Sequence, residues 1–162
     1  MKHGGGSVMI WGCFGGNKTG DIVKVKGTIK KEDYHSILQR HAKTSGLHLI
    51  GKGFVLQQDN DPKHTSHFCK NYLQSLEKKK ILQNMEWPAQ SPDCNPIELL
   101  WDELDRRIRK KRITSEAHLW EVLQEEWKHI PNESLRKLIH RMPRICKAVI
   151  KAKGGYFEES KI

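Results

Sequence analysis

The segment that most limits the fold is Phe54-Val-Leu-Gln-Gln-Asp59, apolar and β-forming at its start and polar at its tip. Segments of helical period stand on both sides of it, with Tyr34, Ile37, Leu38 and His41 before and Phe68, Tyr72, Leu73 and Leu76 after. A strand between amphipathic helices reads as a buried member of an α/β layer. Its polar tip then emerges at the carboxyl end of the strand, where α/β sheets collect ligands and catalytic groups.

The remaining chain fits that layer. Residues 2–7 read as a flexible, glycine-rich loop. Residues 8–14 form a β-type run broken by Gly12, residues 15–20 supply turn residues, and residues 21–26 alternate apolar with polar, so a β-hairpin is expected. A helix over 30–47 follows, with Asp33 near its positive end, and Gly51-Lys-Gly53 then breaks the chain. After the 54–59 strand come a helix over 65–76, a strand over 81–87 and a Pro-rich turn. Asn95 is placed to cap a long helix with Pro96 at its first position, and Ile97, Leu100, Trp101, Leu104 and Ile108 trace its buried stripe. Two further helices are expected over 115–130, stopped by Pro131, and over 133–152, kinked near Pro143 and ended by Gly154-Gly155. The order β-β-α-β-α-β-α-α-α, without repeat or long linker, predicts one domain over 1–162: sheet and long helix over about 1–112, C-terminal helices over about 113–157.

Charge narrows the partners. Lys and Arg number 29 against 19 Asp and Glu, a net +10 that attracts polyanions, nucleic acid first; a solvated basic surface or an anionic lipid is the alternative. No apolar run approaches the length of a membrane span, so a membrane protein is excluded. Cys13, Cys69, Cys94 and Cys146 lack any CxxC pairing and no signal peptide precedes them, so they are expected to be reduced thiols of an intracellular protein.

The chemistry concentrates on carboxylates. Asp59 ends a buried strand and Glu98 lies in the first turn of the capped helix after the next strand, so both can meet at one sheet edge. Converging carboxylates there suit Mg²⁺ or Mn²⁺, and two such ions roughly 3.5–4 Å apart stabilise the attacking and leaving oxygens of phosphodiester displacement. Glu98, Asp102 and Asp105 fall at i, i+4 and i+7 on one helix face, and Arg106, Arg107, Arg109, Lys110, Lys111 and Arg112 follow as a cluster able to grip phosphates. Blander readings stand beside these. The helix charges complement its macrodipole, Glu98 is at the capping-box position relative to Asn95, and Asp59 and Asp61 can simply build a turn before Pro62. His64, His67, Cys69 and Cys94 do not have zinc-finger spacing, and Gly46 to Lys52 mimics a phosphate loop but is followed by Gly53 where Ser or Thr is needed. His3-Gly-Gly-Gly6 lacks the Gly-x-Ser-x-Gly elbow a serine hydrolase requires.

Two blocks, Gln57-Gln-Asp-Asn-Asp-Pro-Lys-His-Thr-Ser66 and Trp87-Pro-Ala-Gln-Ser-Pro-Asp-Cys-Asn-Pro-Ile-Glu98-Leu-Leu-Trp101, resemble signatures of the Tc1/mariner transposases, in the Tc1-like branch. Lys2-His-Gly-Gly-Gly-Ser-Val-Met-Ile-Trp-Gly-Cys-Phe14, Met142-Pro-Arg144 and Ala148-Val-Ile-Lys-Ala-Lys-Gly-Gly155 resemble further segments of that family, so the likeness spans nearly the whole chain. The resemblance implies an RNase H-like mixed sheet with flanking helices and a helical C-terminal tail. It also implies a DDE triad of acidic residues holding two Mg²⁺ or Mn²⁺ ions for DNA cleavage and strand transfer. Asp59 matches the second acid and Glu98 the third, both as metal ligands. Lys63, His64 and the Arg106–Arg112 cluster are then candidate DNA contacts, the partners transposon-end and target DNA with a homodimer, and the location nuclear.

The chain departs from the family pattern in three ways. The first triad Asp and its strand, central in RNase H-like sheets, lie upstream of the Lys2 block in the family and have no counterpart here, so the sheet is expected to be incomplete and the chain alone inactive. The Asp59–Glu98 spacing of 38 intervening residues is a few longer than usual, and Leu99 replaces a frequent Asn. The alternative is a non-catalytic, domesticated or decayed transposase-derived module that binds nucleic acid.

Overall fold

The computed structural model describes residues 2–3, 6–87 and 94–153. Its strands are β1 (Lys2–His3), β2 (Gly6–Ser7), β3 (Met9–Gly15), β4 (Lys18–Val25), β5 (Phe54–Leu56) and β6 (Leu82–Asn84). Its helices are α1 (Lys31–Ile37), α2 (Lys43–Leu49), α3 (His67–Lys78), α4 (Pro96–Ile108), α5 (Glu116–Lys128) and α6 (Asn132–Lys151).

β3 and β4 form the expected antiparallel hairpin around Gly16-Asn17, and Gly16 takes the positive φ of 60° that the first position of a type II′ turn demands. The ladder slips once: Gly12 faces Ile22 but Phe14 faces Thr19, so β4 carries one extra residue at Gly20-Asp21. The backbone groups released by this bulge find partners. Trp127 Nε1 of α5 donates to the Gly20 carbonyl at 2.8 Å, and the Asp21 amide donates to Ser45 Oγ of α2 at 3.2 Å.

β3 faces two ways, as a strand of period two must. Ile10 and Phe14 pack on a cluster built from Leu100, Leu104, Ile108, Leu119, Leu123 and Leu135 of α4–α6, while Trp11 packs on a second cluster of Tyr34, Leu38, Phe54, Cys69, Leu73 and Leu82. Helices thus cover the hairpin on both sides, the α/β layering expected. Beside Ser45, burial pushes the Cys13 thiol up to about 11, which leaves it an inert packing group.

Several boundaries differ from expectation. Residues 2–7 are not a free loop: Lys2 pairs with Ser7 and His3 with Gly6 in a short antiparallel ladder. The helix expected over 30–47 reaches Leu49 but is wound as a π-helix over Leu38–Ala42, between α1 and α2. The strand expected over 54–59 ends at Leu56, because parallel β6 offers partners for three residues only. From there polar side chains take over: Gln57 donates to the Cys94 carbonyl and Asn60 to the Trp87 carbonyl. α6 continues through Pro143 without interruption. The Pro-rich turn and Gly154-Gly155 lie outside the described residues. Among the described residues no ladder joins β3–β4 to β5–β6. No helix among them is long and apolar enough to cross a membrane.

Candidate active site

The loop after β5 is built by Asp61. Its carboxylate accepts from the Lys63 amide at 2.9 Å and pairs with Lys63 Nζ at 3.2 Å, and its carbonyl accepts from the His64 and Thr65 amides. Burial alone would raise the Asp61 carboxyl, but the Lys63 amide and ammonium outweigh it and hold the group below its ordinary value. The bland reading of a turn ahead of Pro62 is therefore correct for Asp61.

Asp59 is held differently. Its Oδ1 accepts from the Asp61 amide at 3.1 Å and meets His64 Nδ1 at 2.5 Å, while the side chain stays 50% exposed. An ionised carboxylate only accepts, so His64 carries its proton on Nδ1. The His64 ring is stacked on Tyr34, with centroids 3.9 Å apart, and the Tyr34 hydroxyl donates to Gln58 Oε1. Tyr34 is 2% exposed. Burial first, and the Asp59 charge second, push its phenol far above the ordinary value, so it remains a donor. Tyr34 of α1 thus fixes His64, and His64 fixes Asp59.

Glu98 arrives on a separate element. Asn95 is extended and Pro96 opens α4 as expected, yet the Asn95 side chain makes no capping bond, so the capping box is absent. Among the described residues the Glu98 carboxylate has no hydrogen bond or ion pair. Burial, then the charges of Asp59 and Asp102, raise its pKa. The charge of Asp59 therefore acts on Glu98, as a shared site would require. Asp102 adds to it, but Asp105 turns to Arg109 at 2.6 Å. Hard carboxylate oxygens suit a divalent cation such as Mg²⁺ or Mn²⁺. Among the described residues no three His, Cys, Asp or Glu side chains are grouped closely enough to hold a metal by themselves, zinc included.

The basic cluster is largely committed within the protein. Arg106 and Arg107 pair with Glu103, Arg107 also reaches Glu126 of α5, and Lys111 pairs with Glu126 at 3.0 Å, which raises the Lys111 pKa. Lys110 and Arg112, past the end of α4, have no ion pair among the described residues. The phosphate-loop mimic is dismantled: Gly46 lies inside α2, where a Cβ would collide with the Phe54 ring. Sequence reasoning placed Tyr34 on a helix stripe and left Gln58 without a task. A buried tyrosine needing a hydroxyl partner was the available signal for both.

Residues 2–119 match the model of the DDE superfamily endonuclease family. The Tc1 transposase of Caenorhabditis elegans and the Tcb1 transposase of Caenorhabditis briggsae are each 42% identical over 154 residues, covering 95% of this chain and 55% of their own length. The chain therefore spans about half the length of the curated relatives it matches. Among solved structures, a Mos1 transposase paired-end complex with left transposon end aligns with TM-score 0.81 at 19% identity, over 93% of this chain and 45% of that one. A Mos1 transposase catalytic domain with Raltegravir and Mg aligns with TM-score 0.74 at 18% identity, over 93% of this chain and 77% of that one. These structures establish the RNase H-like fold. With the family model matched over most of its length and close relatives among Tc1-type elements, the chain belongs to the DDE superfamily endonucleases, in their Tc1/mariner transposase branch.

Proposed function

We propose that the chain is the catalytic domain of a Tc1-like transposase that cuts and joins DNA strands at Asp59 and Glu98 with Mg²⁺ or Mn²⁺. One observation carries this reading: after burial, the charge of Asp59 raises the proton affinity of Glu98, whose carboxylate has no hydrogen bond or ion pair among the described residues. A bound divalent ion would neutralise both and polarise a phosphodiester. Asp59 presents Oδ2, which has no partner among the described residues, while His64 and the Asp61 amide hold Oδ1. Glu98 supplies the opposing oxygens from the first turn of α4. Lys110 and Arg112, without an ion pair among the described residues, and Lys63, shared with Asp61, are the residues offered to phosphates.

DNA as substrate and a homodimer as working unit agree with a Mos1 relative caught as a paired-end complex. Chemistry on chromosomal DNA calls for a nuclear location. The net charge of +10 favours the second reading, a module that only binds nucleic acid.

Nicking of supercoiled plasmid by the purified chain in Mn²⁺ tests the choice, with Asp59→Asn and Glu98→Gln as controls. Weak nicking abolished by both substitutions supports the catalytic reading. Salt-sensitive DNA binding that survives Asp59→Asn, with no nicking at any Mn²⁺ concentration, selects the binding module instead.

A further inference from the structure

Phe68, the second residue of α3, is 48% exposed, and it is the one aromatic among the large apolar side chains exposed in the described residues. Its ring is already half of a stack. His35 of α1 lies against it with centroids 4.0 Å apart and planes 28° from parallel, and Tyr72 meets His35 edge-on at 4.9 Å. No other ring touches Phe68 among the described residues.

His35 directly follows Tyr34, whose own stack on His64 steadies Asp59. Two neighbouring residues of α1 therefore anchor two stacks, one ending on the half-exposed Asp59 and the other ending in water. Half a phenyl ring left in water forgoes the burial that α3 gives Leu73 and Leu76. A ring held flat on one side and wet on the other is what a nucleobase stacks on, and such stacking tolerates any base. The net charge of +10 on the chain agrees.

We propose that Phe68, backed by His35, is the stacking platform for an unpaired base of the DNA handled at Asp59. This rests on the DNA-processing reading above and adds the site that holds a base displaced from the duplex beside the cut.

The test uses the 162-residue chain without metal, a single-stranded oligonucleotide carrying 2-aminopurine, and a fluorescein-labelled duplex of the same sequence. Wild type should quench the 2-aminopurine on binding. Phe68→Ala and Phe68→Leu should bind the single strand roughly tenfold more weakly and lose the quench, Phe68→Trp should keep both, and duplex affinity should stay unchanged in all three. Circular dichroism checks that each variant is folded. Equal quenching and affinity in wild type and Phe68→Ala overturns the platform and leaves the DNA reading standing. Failure of wild type to bind either oligonucleotide at low salt overturns both.

Discussion

The two hydrophobic clusters differ in what they leave at their edges. The cluster of α4–α6 is closed: Leu100, Leu104, Ile108, Leu119, Leu123 and Leu135 are each 0% exposed, and Arg107 and Lys111 lock α4 to α5 through Glu126. The cluster of α1, α3, β5 and β6 is open on one side, where short strands give way at Gln57 to a polar loop held by side-chain hydrogen bonds. Asp59 comes from the open cluster and Glu98 from the closed one. One carboxylate rides a rigid helix while the other rides a loop that a histidine and a tyrosine must steady. A site split this way depends on β3, which packs Ile10 and Phe14 against one cluster and Trp11 against the other.

Substitutions in each cluster, and at the joint between them, separate what each contributes. The largest effect is expected for Leu104→Ala, which opens a cavity in the closed cluster and should cost about 2–5 kcal/mol in urea unfolding. Gly46→Ala comes next, because its Cβ would displace Phe54 at the start of β5. It should cost about 1–3 kcal/mol and, unlike Leu104→Ala in the folded fraction, weaken cation binding. Trp127→Phe removes the donor to the Gly20 carbonyl at the β4 bulge and should cost about 1–2 kcal/mol, with the hairpin amides losing hydrogen-exchange protection first.

The smallest effect sharpens the electrostatics. Because the folded chain raises the Glu98 pKa above its ordinary 4.5, Glu98 favours folding while protonated, and this contribution is lost as pH rises through the raised value. Glu98→Gln should therefore melt above wild type at pH 7, with the gap closing below about pH 4.5. Mn²⁺ should raise the melting temperature of wild type and leave Glu98→Gln unmoved.

The features legible in the sequence were those written locally. The stripe of α4, its Pro96 start and the hairpin all follow from spacing over a few residues. What was not legible is set by distant partners. The 54–59 strand is cut short by the length of β6, the β4 bulge is defined by Trp127 more than a hundred residues away, and much of the Arg106–Arg112 cluster is neutralised by Glu103, Asp105 and Glu126. The Tyr34–His64–Asp59 chain joins a helix to a loop across the sheet edge, and no periodicity encodes it.

Asp59 and Glu98, from different clusters, are proposed to form one cation site. Titration of Mn²⁺ into wild type, Asp59→Asn, Glu98→Gln and the double variant by calorimetry tests it most directly. One shared site predicts that either single substitution removes binding as fully as both together. Losses that simply add, or binding unchanged in Glu98→Gln, would contradict it.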